Sequence, residues 1–182
     1  MKMEAINSKI VNIATSYVGI QELSGNKGWG NKAFQQKMEL MGWGIGKAWC
    51  AYFGELVWKE AFGFTSDTAK MLDKLFSASA VSTWSNFVGN KVFKTGKLPV
   101  EGALAIWKYG TTWQGHLGIV VNSNSGIVKN GVKYFDTVEG NGNDEGGREG
   151  IEVAYKKGKS GRALDFTVKN KGLNLLGFVY PS

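Results

Sequence analysis

The sequence predicts an α+β domain in which N-terminal helices pack on a C-terminal antiparallel β-sheet. Apolar residues recur at the helical period in the first half of the chain. Short segments rich in β-branched and aromatic residues, separated by turn residues, fill the second half. A chain of 182 residues suits one domain, and we expect residues 1–182 to form it without a linker or an internal repeat.

Helical periodicity identifies the elements of the first half. In the first segment Ile6, Ile10 and Ile13 share one face, and Gly19 stops the pattern. The remaining predictions are a helix capped by Asn31 and ended by Gly42, a helix through KAWCAYFGELVW, a short helix from Ala69 to Phe76, and a turn of helix capped by Ser82.

Five segments of the second half predict strands: GALAIWKY, GHLGIVVNS, KYFDTVEGN, REGIEVAYKK and LLGFVYP. Their hairpin spacing favours antiparallel pairing. The glycine-rich EGNGNDEGG is too short to separate two domains, so it predicts a turn between strands. It precedes a strand rather than a helix, which makes it weak evidence for phosphate binding.

Charge and composition restrict the classes of partner. A net charge of +7 and a pI near 9.4 favour an anionic partner: nucleic acid, anionic lipid, or a carboxylate- and phosphate-rich cell wall. A basic surface with no dedicated partner is the alternative. Only Lys156, Lys157, Lys159 and Arg162 cluster, and no nucleic-acid motif has the required spacing, so we expect no nucleic-acid partner.

The termini and the cysteine count restrict location and cofactors. One cysteine forms no internal disulfide, and one cysteine with one histidine excludes the usual zinc sets unless carboxylates supply most ligands. The N-terminus lacks a signal-peptide pattern, and no stretch is apolar enough to span a membrane. We expect synthesis in the cytoplasm, no membrane insertion and no cofactor.

Cys50 has two interpretations. It shares an apolar helix face with Phe53 and Val57, as a buried core cysteine would. It also lies at or near a helix start, where the helix dipole favours a thiolate. Residues 46–49 offer no Ser, Thr, Asp or Asn cap, so free first-turn N–H groups could form an oxyanion hole beside the sulfur.

A base for such a thiol is available in His116, the only histidine. In a strand His116 shares a face with Gly118, which leaves room for substrate or a second side chain. Glu139 and Asn141 are two residues apart on a later strand, so we expect them on one face, where either could orient the imidazole. A half-exposed histidine and a solvated glutamate are the alternative.

The motifs WCAYF, GHLGIV and VEGN, in this order, resemble the CHAP domain, the cysteine- and histidine-dependent amidohydrolase/peptidase family. With IATSYVGIQELSGNKG and LLGFVYP the resemblance covers nearly the whole chain. It implies a papain-like fold and cleavage of an amide bond in bacterial peptidoglycan. By motif, Cys50 would be the nucleophile, His116 the general base and later acid, Glu139 its orienting partner, and Asn141 an assisting residue.

The resemblance also suggests where substrate binds. Trp49 is adjacent to Cys50 and Trp113 lies three residues before His116, so these two could line a substrate groove, with packing in the core or at its rim as the alternative. Gln21 or Gln114 could donate to the oxyanion. Some phage CHAP domains carry an acidic calcium loop, but QELSGNKGWGN has one acid, so we expect no metal.

Three functions follow from these observations. The first is a peptidoglycan endopeptidase or N-acetylmuramoyl-L-alanine amidase, either a phage lysin with a holin-type partner or an injected antibacterial effector with an immunity partner. It would reach the wall by lysis, release or injection. The second is a non-catalytic wall-binding or virion-associated module of the same fold. The third is a cytoplasmic thiol hydrolase or transferase acting on another small amide.

Overall fold

A computed structural model describes residues 2–142 and 150–181. Over these residues the chain forms five α-helices followed by eight β-strands, which confirms the predicted α+β class and the order of helices and sheet. The predicted turn EGNGNDEGG falls partly on residues 143–149, outside the described residues. The elements are α1 Lys2–Ser16, α2 Lys32–Leu40, α3 Cys50–Phe62, α4 Asp67–Leu75, α5 Ala80–Asn90, β1 Thr95–Gly96, β2 Leu104–Tyr109, β3 Gly115–Asn122, β4 Val128–Lys129, β5 Val132–Gly142, β6 Glu152–Lys156, β7 Arg162–Ala163 and β8 Leu173–Val179.

The helix boundaries agree with the capping residues. Asn31 caps α2 as predicted, because its side-chain oxygen accepts the Phe34 N–H at 3.0 Å. The prediction for α5 was wrong in its start: Ser79, not Ser82, is the cap. The Ser79 hydroxyl oxygen accepts the Ser82 N–H at 3.3 Å, so the helix begins one turn earlier than periodicity suggested.

The strands pair antiparallel in the order β1-β8-β2-β3-β5-β4, and β6 and β7 also pair with β5. The long strand β5 therefore contacts four other strands along its length. This arrangement brings short β7, distant in sequence, to the same strand that carries Glu139.

The two faces of the sheet have different partners. Leu117, Ile119 and Val121 pack in the core that the sheet shares with the helices. Val120 belongs to a second cluster on the opposite face, together with Trp107. This alternation confirms the expectation that Leu117, Ile119 and Val121 lie on one face of β3 and Val120 on the other. His116 and Val120 are an even number of residues apart on β3, so their side chains project from the same face. The His116 side chain therefore lies on the second face, beside Trp107.

Helix α3 is the central helix, and two glycines let its N-terminal half approach the sheet. A Cβ at Gly54 would lie 2.5 Å from Leu117 Cδ2. A Cβ at Gly140 would lie 2.6 Å from Phe53 Cβ and 2.7 Å from Trp49 Cζ3. The start of α3 therefore lies directly against β3 and β5.

No helix of the described residues has both the length and the apolar character that crossing a membrane requires.

Candidate active site

Cys50 is the first residue of α3, as its position in the sequence predicted. The preceding residue, Trp49, makes no side-chain capping hydrogen bond. The backbone N–H groups of Ala51 and Leu117 hydrogen-bond to the sulfur, and only 7% of the Cys50 surface is exposed. The thiol is thus held at a helix N-terminus among backbone donors, an environment that stabilises a thiolate.

His116 bridges Cys50 and Glu139. Its Nε2 lies 2.8 Å from Glu139 Oε2, and its ring also hydrogen-bonds to the Cys50 thiol. With Nε2 occupied by the carboxylate, Nδ1 is the nitrogen left to face the sulfur. The structure therefore brings three of the predicted residues into one hydrogen-bonded series, Cys50, His116 and Glu139.

Glu139 is completely buried, and each of its carboxylate oxygens accepts two hydrogen bonds. Oε1 accepts from Thr137 Oγ1 at 2.5 Å and from Arg162 Nε at 2.6 Å, and Oε2 accepts from Arg162 Nη2 and His116. Gly118 makes room for it, since a Cβ there would lie 2.7 Å from Glu139 Cγ. The space predicted beside His116 thus holds a second side chain.

Electrostatics favour charged forms of these groups. Burial raises the pKa of the Cys50 thiol, but the hydrogen bond and charge of His116 outweigh it and hold that pKa below its ordinary value. Burial lowers the pKa of His116, but the Glu139 charge and hydrogen bonds to Cys50 and Glu139 outweigh it and raise that pKa to about 9. Both shifts favour a thiolate–imidazolium pair over the uncharged pair.

Glu139 is held as a carboxylate by its neighbours. Burial raises its pKa, but the charges of Arg162 and His116 and their hydrogen bonds outweigh this and keep the pKa well below the ordinary value. Glu139 is therefore ionised at neutral pH.

Arg162 is the site residue that sequence reasoning missed. It was grouped only with the nearby lysines, but β7 pairs with β5 and places its guanidinium on Glu139. Its central carbon also lies 5.2 Å from the ring centroid of Trp107. Nothing in its spacing from His116 or Glu139 indicates this contact, because it depends on a strand pairing that the sequence alone does not specify.

Asn141 lies where the regular alternation of β5 is interrupted. The β5–β6 register shifts between Glu139 and Gly142, and Asn141 has a left-handed φ of 55°. The bulge interrupts the alternation that would have placed Asn141 on the face of Glu139. Its Oδ1 is buried without a hydrogen-bond partner among the described residues, so Glu139 is the one of the two that hydrogen-bonds His116.

Trp49 lies in the core rather than in a groove. It has no exposed surface, and its Nε1 donates to Glu22 Oε2 at 2.9 Å. Its ring packs edge-on against Trp29 and Phe53. With nothing exposed, Trp49 supports the start of α3 and has no face to offer a substrate.

The other three predicted binding residues lie at the surface. Trp113 is 76% exposed in the loop between β2 and β3, and Gln114 follows it, partly buried. Gln21 is exposed and forms an isolated antiparallel bridge with Glu152. Among the hydrogen bonds of residues 2–142 and 150–181, none joins either glutamine side chain to Cys50. Their roles in substrate binding stay predictions.

A metal site does not emerge from the part of the chain that the structure describes: there, no three His, Cys, Asp or Glu side chains are grouped to hold an ion.

Comparison with known proteins gives no family for this chain. No protein-family model matches it, and neither a curated protein nor a solved structure matches it. The functional interpretation therefore depends on the site geometry, and the CHAP resemblance stays a prediction.

The close approach at Gly118 leads to a testable expectation. Gly118→Ala places a methyl group 2.7 Å from Glu139 Cγ, and the buried carboxylate is held in place by four hydrogen bonds. We expect a loss of about 1–3 kcal/mol in the free energy of unfolding and reduced reactivity of the Cys50 thiol. Urea unfolding and alkylation rates measure both. Gly30→Ala is the matched control, since Gly30 is exposed, its φ is not left-handed and a Cβ there meets nothing within 4 Å. Wild-type stability and thiol reactivity in Gly118→Ala would contradict the geometry.

Proposed function

We propose that this chain is a cysteine hydrolase that cleaves an amide bond in bacterial peptidoglycan. The observation that carries the proposal is the hydrogen-bonded series from Cys50 through His116 to Glu139, with the sulfur at the uncapped start of a helix. A core cysteine has no need of a buried, charge-paired imidazole. A nucleophilic thiol needs both a base and a group that orients that base.

The first half of the reaction forms an acyl-enzyme. The Cys50 thiolate attacks the amide carbonyl carbon, and the carbonyl oxygen becomes an oxyanion. As the tetrahedral intermediate collapses, His116 gives its Nδ1 proton to the leaving amine, and the C–N bond breaks. The products of this half are a free amine and a thioester on Cys50, with His116 neutral.

The second half restores the thiolate. Neutral His116 takes a proton from water, and the resulting hydroxide attacks the thioester carbonyl. The C–S bond then breaks, the carboxylic acid leaves, and the sulfur departs as a thiolate beside protonated His116. Glu139 stays ionised throughout and keeps the imidazole oriented through Nε2.

The oxyanion is assigned to the backbone at the start of α3. That turn has no side-chain cap, so the Cys50 N–H is the donor nearest to the attacking sulfur along the chain. The helix dipole adds partial positive charge at this end. Neither Gln21 nor Gln114 is needed for this assignment.

Peptidoglycan as substrate rests on the CHAP resemblance and on charge. The family cuts amide bonds between glycan and stem, or within the stem or cross-bridge, so endopeptidase and N-acetylmuramoyl-L-alanine amidase are both included. A net charge of +7 suits approach to an anionic wall. The papain-like fold is part of the same proposal: a helix that starts with the cysteine packs against an antiparallel sheet that carries the histidine.

Digestion of purified sacculi of several wall chemotypes tests the proposal. We expect soluble fragments whose masses show either a free muramic acid carboxylate, which indicates the amidase, or a cut stem or bridge, which indicates the endopeptidase. A protein that binds every wall chemotype and releases no fragment would contradict hydrolysis and favour the binding module.

The pKa of His116 predicts the alkaline limit of activity. Acylation needs the imidazolium proton, so kcat/KM is expected to fall as pH rises through about 9, the raised pKa of His116. On the acid side, activity falls as the Cys50 thiolate is protonated, below the ordinary thiol range. A pH profile of fragment release measures both limbs. Activity that keeps rising beyond pH 10 would contradict the ion-pair assignment.

A further inference from the structure

Both oxygens of the Glu139 carboxylate are held by hydrogen bonds. Each of its oxygens accepts two hydrogen bonds: Oε1 from Thr137 and Arg162, and Oε2 from Arg162 and His116. The guanidinium supplies one donor to each oxygen, Nε at 2.6 Å to Oε1 and Nη2 to Oε2. This fork fixes both the plane and the direction of the carboxylate, which a single bond to His116 does not.

The guanidinium is itself held in place. It lies over the ring of Trp107 at 5.2 Å from the centroid. Trp107 is the register partner of His116, and their ring centroids are 6.0 Å apart. Arg162 and His116 therefore have Trp107 as a common neighbour, and both bond the same carboxylate oxygen. The position of Arg162 is thereby coupled to that of the imidazole.

Four charges alternate along this series. Arg162 is positive, Glu139 negative, His116 positive and Cys50 negative in the thiolate–imidazolium state. The series is neutral in sum, with Glu139 fully buried and Arg162 partly buried, which lowers the cost of keeping the two inner charges away from water. Without Arg162 the series carries a net negative charge, and either the imidazole loses its proton to the carboxylate or the thiolate becomes less stable. Both outcomes disfavour the thiolate.

We propose that Arg162 is a positioning residue that, through Glu139, holds His116 in place and sustains the Cys50 thiolate. Its effect on Cys50 is a property of the folded site, whereas its effect on turnover rests on the proposed function. Positioning of the carboxylate depends on arginine rather than on any cation, because the planar guanidinium presents two N–H groups in a fixed fork, whereas the lysine ammonium is a point charge without that geometry.

Alkylation of Cys50 by iodoacetamide over a range of pH tests this without a substrate. The chain has one cysteine, so the rate reports Cys50 alone. In Arg162→Met we expect the midpoint of thiol titration to rise by about one pH unit or more, which slows alkylation about tenfold on the acid side. The matched control is Lys169→Met: Lys169 lines the same surface cleft as Arg162, but its ion-pair partner is Asp165. It should titrate like wild type.

A pair of further variants separates positioning from folding. Arg162→Met leaves Glu139 as a buried, underpaired anion, which lowers stability by itself, whereas Arg162→Met combined with Glu139→Gln leaves neither charge. If Arg162 acts through Glu139, adding Arg162→Met to Glu139→Gln shifts the thiol titration by less than about 0.3 pH unit. A large further shift in the double variant, or a wild-type titration in Arg162→Met, overturns the proposal.

The turnover of Arg162→Lys provides a third test of the role of Arg162. Arg162→Lys keeps the charge and loses the fork, so we expect kcat to fall about tenfold with KM unchanged, and the thiol titration to stay near wild type. Wild-type kcat in Arg162→Lys would overturn the role of the fork. If wild type itself has no hydrolase activity, the proposed function fails, and the alkylation series still decides the role of Arg162.

Discussion

His116→Ala is expected to lower kcat/KM for peptidoglycan cleavage by about 10²–10⁴-fold. Two losses combine. The thiol loses the cationic hydrogen-bond partner that holds its pKa below the ordinary range, so little thiolate forms at neutral pH. The leaving amine also loses its proton donor, so any tetrahedral intermediate returns to substrate.

Two measurements separate these losses. Alkylation of the single cysteine should shift towards the pH range of an ordinary thiol, about 8.5. Free imidazole in the medium should restore part of the hydrolysis, because the truncated side chain leaves space where the ring stood. A His116→Ala protein that digests sacculi at the wild-type rate would remove His116 from the mechanism.

Glu139→Gln is expected to damage both activity and stability. Glutamine keeps the shape of the side chain but leaves the partly buried Arg162 cation without its counter-charge. Removing one partner of a buried ion pair costs about 3–5 kcal/mol. Without the carboxylate, the pKa of His116 falls from about 9 towards its ordinary value, and the alkaline limb of activity moves down with it.

The free energy of unfolding that the Glu139 carboxylate contributes depends on pH. Because the pKa of Glu139 is depressed in the folded state, its stabilisation is present above the pKa of an unfolded glutamate, about 4.3, and is lost as pH falls towards the folded value. Urea unfolding of wild type and variant should therefore differ most at neutral pH and converge in acid. The exposed pair of Asp67 and Lys70 supplies the control, since Asp67→Asn should change stability by less than about 1 kcal/mol. Equal unfolding curves for wild type and Glu139→Gln at pH 7 would contradict a structural role for the buried carboxylate.

Regular periodicity was enough to predict much of the site. Cys50 could be placed at a helix start because the apolar face begins there and residues 46–49 carry no cap, and α3 begins at Cys50. Strict alternation along β3 placed His116 and Gly118 on the face opposite Leu117, and the structure agrees. Glu139 follows from the same period on β5, so these elements depend on local pattern alone.

The remaining features depend on departures from regular structure or on long-range pairing. Asn141 lies within the β5 bulge, which interrupts the alternation used to place it. Trp49 is adjacent to the nucleophile in sequence, but the helix start turns its ring into the core, where it meets Glu22. Arg162 reaches Glu139 through the β5–β7 pairing, and no local pattern specifies which strand a two-residue strand will join.

Paired digestion of sacculi by wild type and Cys50→Ala decides whether Cys50 attacks an amide carbonyl. Rapidly quenched samples should be analysed for released fragments and for the intact mass of the protein. We expect fragments and a Cys50-linked acyl adduct with wild type, and neither with a Cys50→Ala protein that keeps the wild-type melting temperature. Release of the same fragments at the same rate by Cys50→Ala would contradict the claim and return Cys50 to the core.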